Sequence, residues 1–524
     1  MSQRPDDWWK KGVVYQIYPR SFMDSNGDGV GDLAGIEARL DHVVGLGVDA
    51  IWISPFYPSP MADFGYDVSD YCDVDPLFGD LSALDSLLDA AHLRGLKVLL
   101  DMVPSHTSEQ HPWFVESRQS RSNPKRNWYV WSDPAPGGGP PNNWISEFGG
   151  PAWTFDEATG QYYLHIFLKE QPSLNWRSPE VREAVLGAMR FWFDRGVDGF
   201  RVDAIENLVP DAQLRDNPPN PAWVESMGPA RSLLGVHTQH RPEVFEYVAE
   251  MRRVARSYDP ERLLIGEAYG TLEQIIAYYG KRADGFHLPF NFQLIGAEWS
   301  PRNIAGIVDA YEAALPPGAW PNWVLSNHDR SRFASRVGHA QARVAAMLLL
   351  TLRGTPTIYQ GEELGMENVP IPPERVMDPW ETNVPDIGLG RDPVRTPLAW
   401  TDGPGAGFTT GEAWLPIDTR REMRVDVQSD DEGSMLTLYQ RLLELRRRED
   451  ALSLGDYRTI HVDESVFCYE RSHGGRRYAA ALNFSDHERS LPIVGKAVLS
   501  TAGHPEPFTD TVLAPNEGRI LEIR

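Results

Sequence analysis

Seven residues of this 524-residue chain could together perform acid–base and nucleophilic chemistry. They are Asp101 and His106 in DMVPSH, Arg201 and Asp203 in GFRVDA, Glu267 in GEAY, and His328 and Asp329 in SNHD. The hexapeptide at 199–204 is central. Val197 and Phe200 supply apolar packing, after which the stretch ends in charge. Side chains alternate along a strand, so Arg201 and Asp203 share a face. A guanidinium beside a carboxylate favours the ionised form and lowers its pKa. Asp203 is thus expected to be a standing anion, suited to attack an electron-poor carbon. Alone, the hexapeptide reads equally well as a buried ion pair at a strand end.

The elements that must position these residues follow a repeating pattern. Apolar stretches at 13–22, 49–56, 97–103, 199–204, 263–269, 285–292, 322–328 and 355–361 read as strands. Between the second and third, Leu84, Leu87, Leu88 and Ala91 recur at i, i+3, i+4 and i+7, and a glycine, Gly95, follows. Ser178 and Pro179 open another helix, with Val181, Val185, Met189 and Trp192 inward and Gly196 as its stop. Eight strand–helix units predict an α/β fold of the (β/α)8 TIM-barrel type, whose functional residues lie at the carboxyl ends of the strands. A doubly wound open sheet is the alternative, but no Gly-rich nucleotide loop is present. All seven candidate residues fall at such strand ends. Like charges gathered without a purpose repel one another, which argues for a working site.

The pattern breaks at 104–172, which carries a Pro/Gly loop at 134–141 and is too long for an ordinary connection. It predicts a small domain inserted after strand three. The expected division is 1–103 with 173–450 as the barrel, 104–172 as the insertion, and 451–524 as a C-terminal antiparallel β domain. A basic amphipathic helix at 434–450 closes the barrel.

A formal net charge of -24 argues against nucleic acid and anionic membranes as partners. Cys72 and Cys468 lie too far apart for a metal-ligand spacing and read as free thiols in a reducing compartment. Residues 1–11 lack an apolar core of the signal-peptide kind, and no run of about 18 or more apolar residues follows. The expected location is cytoplasmic. Oligomeric state stays open. The many aromatics mostly serve packing, although their faces also suit the C–H faces of sugars.

The segments DMVPSH, GFRVDA, GEAY and SNHD resemble, in order, the four signature regions of the α-amylase family, glycoside hydrolase family 13. The likeness covers essentially the whole chain. YQIYPRSF with DSNGDGVGD, and DFGYDVSDY, resemble the α-glucosidase and oligo-1,6-glucosidase branch. The resemblance implies Asp203 as nucleophile, Glu267 as general acid/base and Asp329 as transition-state stabiliser. It implies Arg201, His106 and His328 as further substrate-site residues, the histidines on sugar hydroxyls, against a structural role for each. Asp63 and Tyr66 are similar to the family's clamp on the terminal glucose. Arg395, in GRDPVRTP, is similar to a second hydroxyl clamp; the alternative is a surface loop arginine. Phe148 and Phe167 either wall the pocket or pack the core.

Asp24, Asn26, Asp28 and Asp32, with the Val30 carbonyl, repeat the 1, 3, 5, 7, 9 spacing of a calcium loop, with Gly29 at position six. Position twelve is Gly35, so this is not an EF-hand. The reading is a structural Ca2+ or Mg2+, with a metal-free Asx-rich turn as the alternative. No organic cofactor is expected. Many α-amylases carry Asn before the region-one histidine, for an interdomain calcium; here it is Ser105, and that second site is not expected.

Together these imply a retaining, exo-acting α-glucosidase on short oligosaccharides such as maltose. A transglucosylase, a sucrose- or trehalose-active enzyme and an oligo-1,6-glucosidase are the alternatives. A non-catalytic interaction protein is disfavoured by the three carboxylates. The crowded insertion after strand four, including 214–223, suggests a pocket. Ala204, where the resemblance implies Val in α-1,6-cleaving relatives, suggests α-1,4 preference; otherwise it only packs on the next strand.

Overall fold

A computed structural model describes residues 7–503 and 511–524. Residues 1–6 of the N-terminal stretch read above lie outside it, as does part of the C-terminal domain at 504–510. Eight parallel strands form one sheet: Val14–Ile17, Ala50–Ile53, Lys97–Met102, Gly199–Val202, Leu263–Gly266, Leu288–Pro289, Asn322–Val324 and Thr355–Tyr359. The first pairs with the eighth, and a bridge between Asn291 and Trp323 joins strands six and seven, closing the barrel.

Nearly every strand residue is buried, as a parallel sheet covered on both faces requires. Alternation divides them. Val14, Ala50, Trp52, Leu99, Leu263, Ile265, Leu288 and Val324 fill the barrel interior as one cluster. Tyr15, Ile51, Val98, Leu100, Phe200 and Leu264 face the helical layer. The helix Leu81–Leu93 buries Leu84, Leu87, Leu88 and Ala91, and Asp80 caps it by accepting the Ala83 N–H. The helix Pro179–Asp194 starts on Ser178, whose hydroxyl accepts the Val181 N–H, and it buries Val181, Val185, Met189 and Trp192.

Between strands three and four stand a helix, Pro112–Gln119, and a three-stranded sheet in the order Trp131–Ser132, Gln161–Leu164, Trp153–Asp156. At the C-terminus a five-stranded antiparallel sheet runs in the order Asp456–Val462, Val466–His473, Arg476–Asn483, Gly518–Ile523, Lys496–Ser500. Its first tight turn uses Gly474 and Gly475, both at positive φ (56° and 82°), the conformation a two-residue hairpin demands. This domain is bolted to the barrel by two buried arginines without carboxylate partners. Arg446, in the helix Met435–Arg448, donates to the carbonyls of Leu350, Leu352, Gly354 and Leu452. Arg471, from the C-terminal sheet, donates to Thr351, Leu452 and Gly455. Among the described residues, no helix is long and apolar enough to cross a membrane.

Candidate active site

The carboxyl ends of the strands deliver the reactive groups because the backbone ladder continues one residue past each strand. The N–H of Asp203 donates to the Met102 carbonyl at 2.8 Å, and that of Glu267 to Val202 at 2.9 Å. Arg201 sits among them. Its Nη1 lies 2.8 Å from Asp101 and 2.6 Å from Asp203, and its Nη2 lies 2.5 Å from Glu267. The guanidinium is 1 % exposed and rests over the rings of Trp52 and Tyr66.

One cation divided among three buried carboxyls changes the expected electrostatics. Burial pushes the Asp203 carboxyl up to about 7, with Arg201 pulling against it and Asp101 adding to it. The standing anion expected from the Arg201–Asp203 pairing is therefore corrected: desolvation outweighs the shared guanidinium. Glu267 is pushed up to about 8, first by burial and then by the charges of Asp203 and Asp329, against Arg201 and the Ala204 N–H. Asp329 goes the other way. Burial would raise it, but neighbouring positive charge from Arg395 and Arg391 holds it far below the usual carboxylate range. Arg395 Nη2 lies 2.8 Å from Asp329 Oδ1 and Arg391 Nη1 lies 3.4 Å from it. Burial lowers His328 to about 3 and His106 to about 4, so both are neutral at physiological pH.

A cavity of about 100 Å3 opens above these groups. Asp63, Tyr66, His106, Phe148, Phe167, Asp203, Glu267 and Asp329 all line it. Asp63 pairs with Arg391 at 2.7 Å and accepts from Gln171 at 3.1 Å. Arg391 is fixed in turn by Asp378 at 2.6 Å. Phe148 comes from the inserted domain and meets Trp380, ring centres 5.3 Å apart, so the insertion forms one wall. His106 donates from Nε2 to the Tyr66 carbonyl at 2.9 Å, so its neutral ring accepts the Ser105 hydroxyl at Nδ1, 2.8 Å away.

Three of the expected substrate residues stand behind the wall instead. Arg201, His328 and Arg395 do not border the cavity. His328 is sandwiched between the rings of Tyr18 and Tyr66, with Gln16 on Nδ1 and the Tyr66 hydroxyl on Nε2, both at 2.8 Å. Arg395 is fully buried, donating to the His328 carbonyl and to Asp329. Both hold other residues in place. The cation of GRDPVRTP that reaches the cavity is Arg391, four positions earlier. Spacing could not choose between the two arginines; the ion pair with Asp63 does.

The strand expected at 199–204 is also shorter than read. Strand four ends at Val202, and Ala204 adopts a left-handed conformation (φ 40°, ψ 43°). It borders the cavity and donates its N–H to Glu267 Oε2 at 2.9 Å. Other wall residues were missed. Tyr269 is the last residue of the quoted GEAY and Arg330 directly follows SNHD, with the Arg330 guanidinium 5.3 Å from the Tyr269 ring centre. Glu147, in a loop, and Glu206 and Trp380, in helical turns of three and five residues, carry no periodic signal.

The loop at 24–32 is closed by its own amides. Asp24 Oδ1 accepts the N–H groups of Asn26 and Gly27, and Oδ2 accepts those of Gly29 and the Thr409 hydroxyl. Asp32 accepts from Ser25 and Gly35, Asn26 from the Asp28 N–H, and Asp28 from the Val30 N–H. With two bonds on each oxygen, Asp24 has no lone pair left for an ion. Among the described residues no three His, Cys, Asp or Glu side chains gather in a metal-holding cluster. With Asp24 bonded in this way, the donor set in this arrangement does not fit a Ca2+ or Mg2+ ion.

Comparison with known proteins agrees with this architecture. Residues 16–455 match the family described as the α-amylase catalytic domain. A probable α-glucosidase of Rhizobium meliloti (strain 1021) is 44% identical over 95% of this chain and 94% of its own length. An oligo-1,6-glucosidase of Parageobacillus thermoglucosidasius is 37% identical over 99% of both. Among solved structures, the α-glucosyl transfer enzyme XgtA superposes with a TM-score of 0.94 at 44% identity, covering 99% of each chain. The trehalulose synthase MutB of Pseudomonas mesoacidophila MX-45 gives 0.91 at 34%, over 99% of this chain and 100% of that one. A (β/α)8 barrel with carboxyls at its strand ends and relatives of this kind along its whole length belongs to the α-amylase family, glycoside hydrolase family 13, in its α-glucosidase and oligo-1,6-glucosidase branch, and is a glycoside hydrolase.

Proposed function

We propose that the protein removes a terminal α-linked glucose from short oligosaccharides with net retention of configuration. The observation that carries this reading is the sharing of Arg201 between Asp203 and Glu267. Two carboxyls held by the two ends of one guanidinium suit the close spacing of retaining enzymes, roughly 5–5.5 Å, better than the wider inverting one. Glu267 carries a proton at neutral pH and protonates the leaving oxygen. Asp203 attacks the anomeric carbon and forms a glucosyl ester. The charge of Asp203 then disappears, Glu267 becomes more acidic, and it takes a proton from the incoming water. Asp329, ionised throughout, stabilises the positive charge that develops on the sugar.

Exo action is supported by the Asp63–Arg391–Asp378 ion-paired wall, which offers donors and acceptors to the hydroxyls of an end sugar. The small Ala204 beside Glu267 supports α-1,4 preference, since it leaves room where a branched side chain would stand. Proton NMR of 4-nitrophenyl α-glucoside hydrolysis, in which the only sugar released is the cleaved glucose, tests the core of the reading: α-glucose is expected first, and early β-glucose overturns it. Transfer to an acceptor sugar or alcohol is the second reading, supported by the likeness to an α-glucosyl transfer enzyme. Product analysis with maltose at high concentration separates transfer from hydrolysis.

A further inference from the structure

The stretch DFGYDVSDY carries an acidic residue that neither the chemistry nor the cavity wall uses. Asp67 is fully buried and does not border the cavity. Its carboxyl accepts three donors, all from the turn that precedes it. Oδ1 takes the Ser59 hydroxyl at 2.8 Å and the Asp63 N–H at 2.9 Å, and Oδ2 takes the Ala62 N–H at 2.9 Å. The Ser59 hydroxyl in turn accepts the Met61 N–H at 3.0 Å. One side chain thus gathers the polar groups of 59–63.

That turn needs holding. Met61 and Phe64 both lie in the left-handed region, at φ 64° and 48°, where a residue other than glycine stays only if its surroundings enforce it. Phe64 is held by its ring, 5.5 Å from the Trp414 ring centre and 5.2 Å from the Arg20 guanidinium. Asp63 is held at both ends. Its carboxyl meets Arg391 and Gln171, and its main chain meets Asp67. Tyr66 depends on the same turn, since its N–H donates to the Asp63 carbonyl at 3.1 Å.

We propose that Asp67 is a positioning residue for recognition of the terminal sugar: by holding the main chain of Ala62 and Asp63, it sets where the Asp63 carboxylate stands for the sugar's hydroxyls. This rests on the glucosidase reading above, in which the Asp63–Arg391 wall receives an end sugar. A carboxylate suits the task because it only accepts. Burial raises the Asp67 carboxyl to about 6 against the pull of its three donors, so it is mostly ionised at neutral pH. An amide in its place has one accepting and one donating atom. It would turn an N–H toward either Ala62 or the Asp63–Ser59 pair, and the turn would shift with Asp63 on it.

The test is a cycle of Asp67→Asn with Asp63→Asn, read by calorimetric titration with 1-deoxynojirimycin, which carries hydroxyls placed as in glucose. A dissociation constant, unlike a rate, does not scale with the folded share of a sample. Asp67→Asn should weaken binding about tenfold, while kcat for 4-nitrophenyl α-glucoside falls about threefold or less. In the Asp63→Asn background the same substitution should change binding by less than about twofold, because the residue it acts through is gone. Equal weakening in both backgrounds, or a lower kcat with binding intact, leaves only a structural role and overturns the proposal. Should Asp67→Asn not fold, Ser59→Ala removes one donor from the same carboxylate and should weaken binding about threefold; unaltered binding there is equally fatal. Failure of the glucosidase reading looks different: the wild type then neither binds 1-deoxynojirimycin nor cleaves the nitrophenyl glucoside.

Discussion

The main-chain N–H of Ala204 donates to Glu267 Oε2 at 2.9 Å, and Arg201 Nη2 meets the same oxygen at 2.5 Å. With Oε2 accepting from two donors, the proton of Glu267 is directed to Oε1. The left-handed turn at Ala204 is what brings that N–H there. A turn following the nucleophile thus orients the acid.

Asp203→Ala should reduce turnover of maltose by at least about a thousandfold, since no other carboxyl can form the ester. Far-UV circular dichroism should be unaltered. Azide should restore cleavage of 4-nitrophenyl α-glucoside and give the β-glucosyl azide. Substantial activity without azide would sink the assignment.

The pH dependence of kcat/KM should be bell-shaped, because Asp203 must be ionised and Glu267 protonated. Asp203, raised to about 7, governs the acid limb: activity falls as pH drops below it. Glu267, raised to about 8, governs the alkaline limb. The two titrate as a coupled system, so the limbs belong to the pair. With a nitrophenyl substrate that needs little acid help, Glu267→Gln should lose the alkaline limb while retaining the acid one.

Stability should show the same groups. A carboxyl whose pKa is raised by folding contributes stability below its unfolded value, and that contribution is lost as pH rises to the folded one. For Glu267 the window runs from the ordinary glutamate range, about 4.3, to about 8. Glu267→Gln removes the titration. The variant should gain on the order of 1 kcal/mol over wild type at pH 8.5 and less at pH 5, measured by urea unfolding.

Arg391 and Arg395 should separate in kinetics. Arg391→Ala should raise KM for maltose about tenfold or more, because it opens the wall made with Asp63. Arg395→Ala leaves Asp329 with a weaker cation field and should lower kcat and the melting temperature together. A variant of Arg395 that changes KM alone would contradict its place behind the wall.

The turn at 24–32 should be indifferent to chelators. Asp24→Ala removes an acceptor of four hydrogen bonds and should lower the melting temperature by several degrees, equally with and without EDTA. A melting temperature that rises with added Ca2+ would show that the loop reopens to take an ion.

Barrel strands and helices were legible because period-2 and period-3.6 patterns report burial, and Leu84 to Ala91 lies inward as its spacing predicts. The strand-end carboxyls were legible because the fold dictates where strands point. Loops obey no such period. Choosing Arg391 over Arg395 needed the position of Asp63, 328 residues away from Arg391 in the chain. The end of strand four was overrun by two residues, because apolar Ala204 reads as strand while its backbone has already turned left-handed. The pKa of Asp203 was misjudged because pairing was visible in sequence, whereas burial and the other claimants on Arg201 were not.

Arg446 and Arg471 meet at the Leu452 carbonyl, across the junction of barrel and C-terminal sheet. Domains generally fold in order of synthesis, N-terminal part first. Here the carbonyl of Thr351, the last residue of the helix Phe333–Thr351, waits for a cation that lies more than a hundred residues downstream, on the second strand of the last domain. A nascent barrel whose chain ends before Arg471 leaves the ribosome with that seam open. Truncation at the domain boundary should therefore yield aggregates, and the C-terminal domain acts as the final lock on a catalytic body that precedes it.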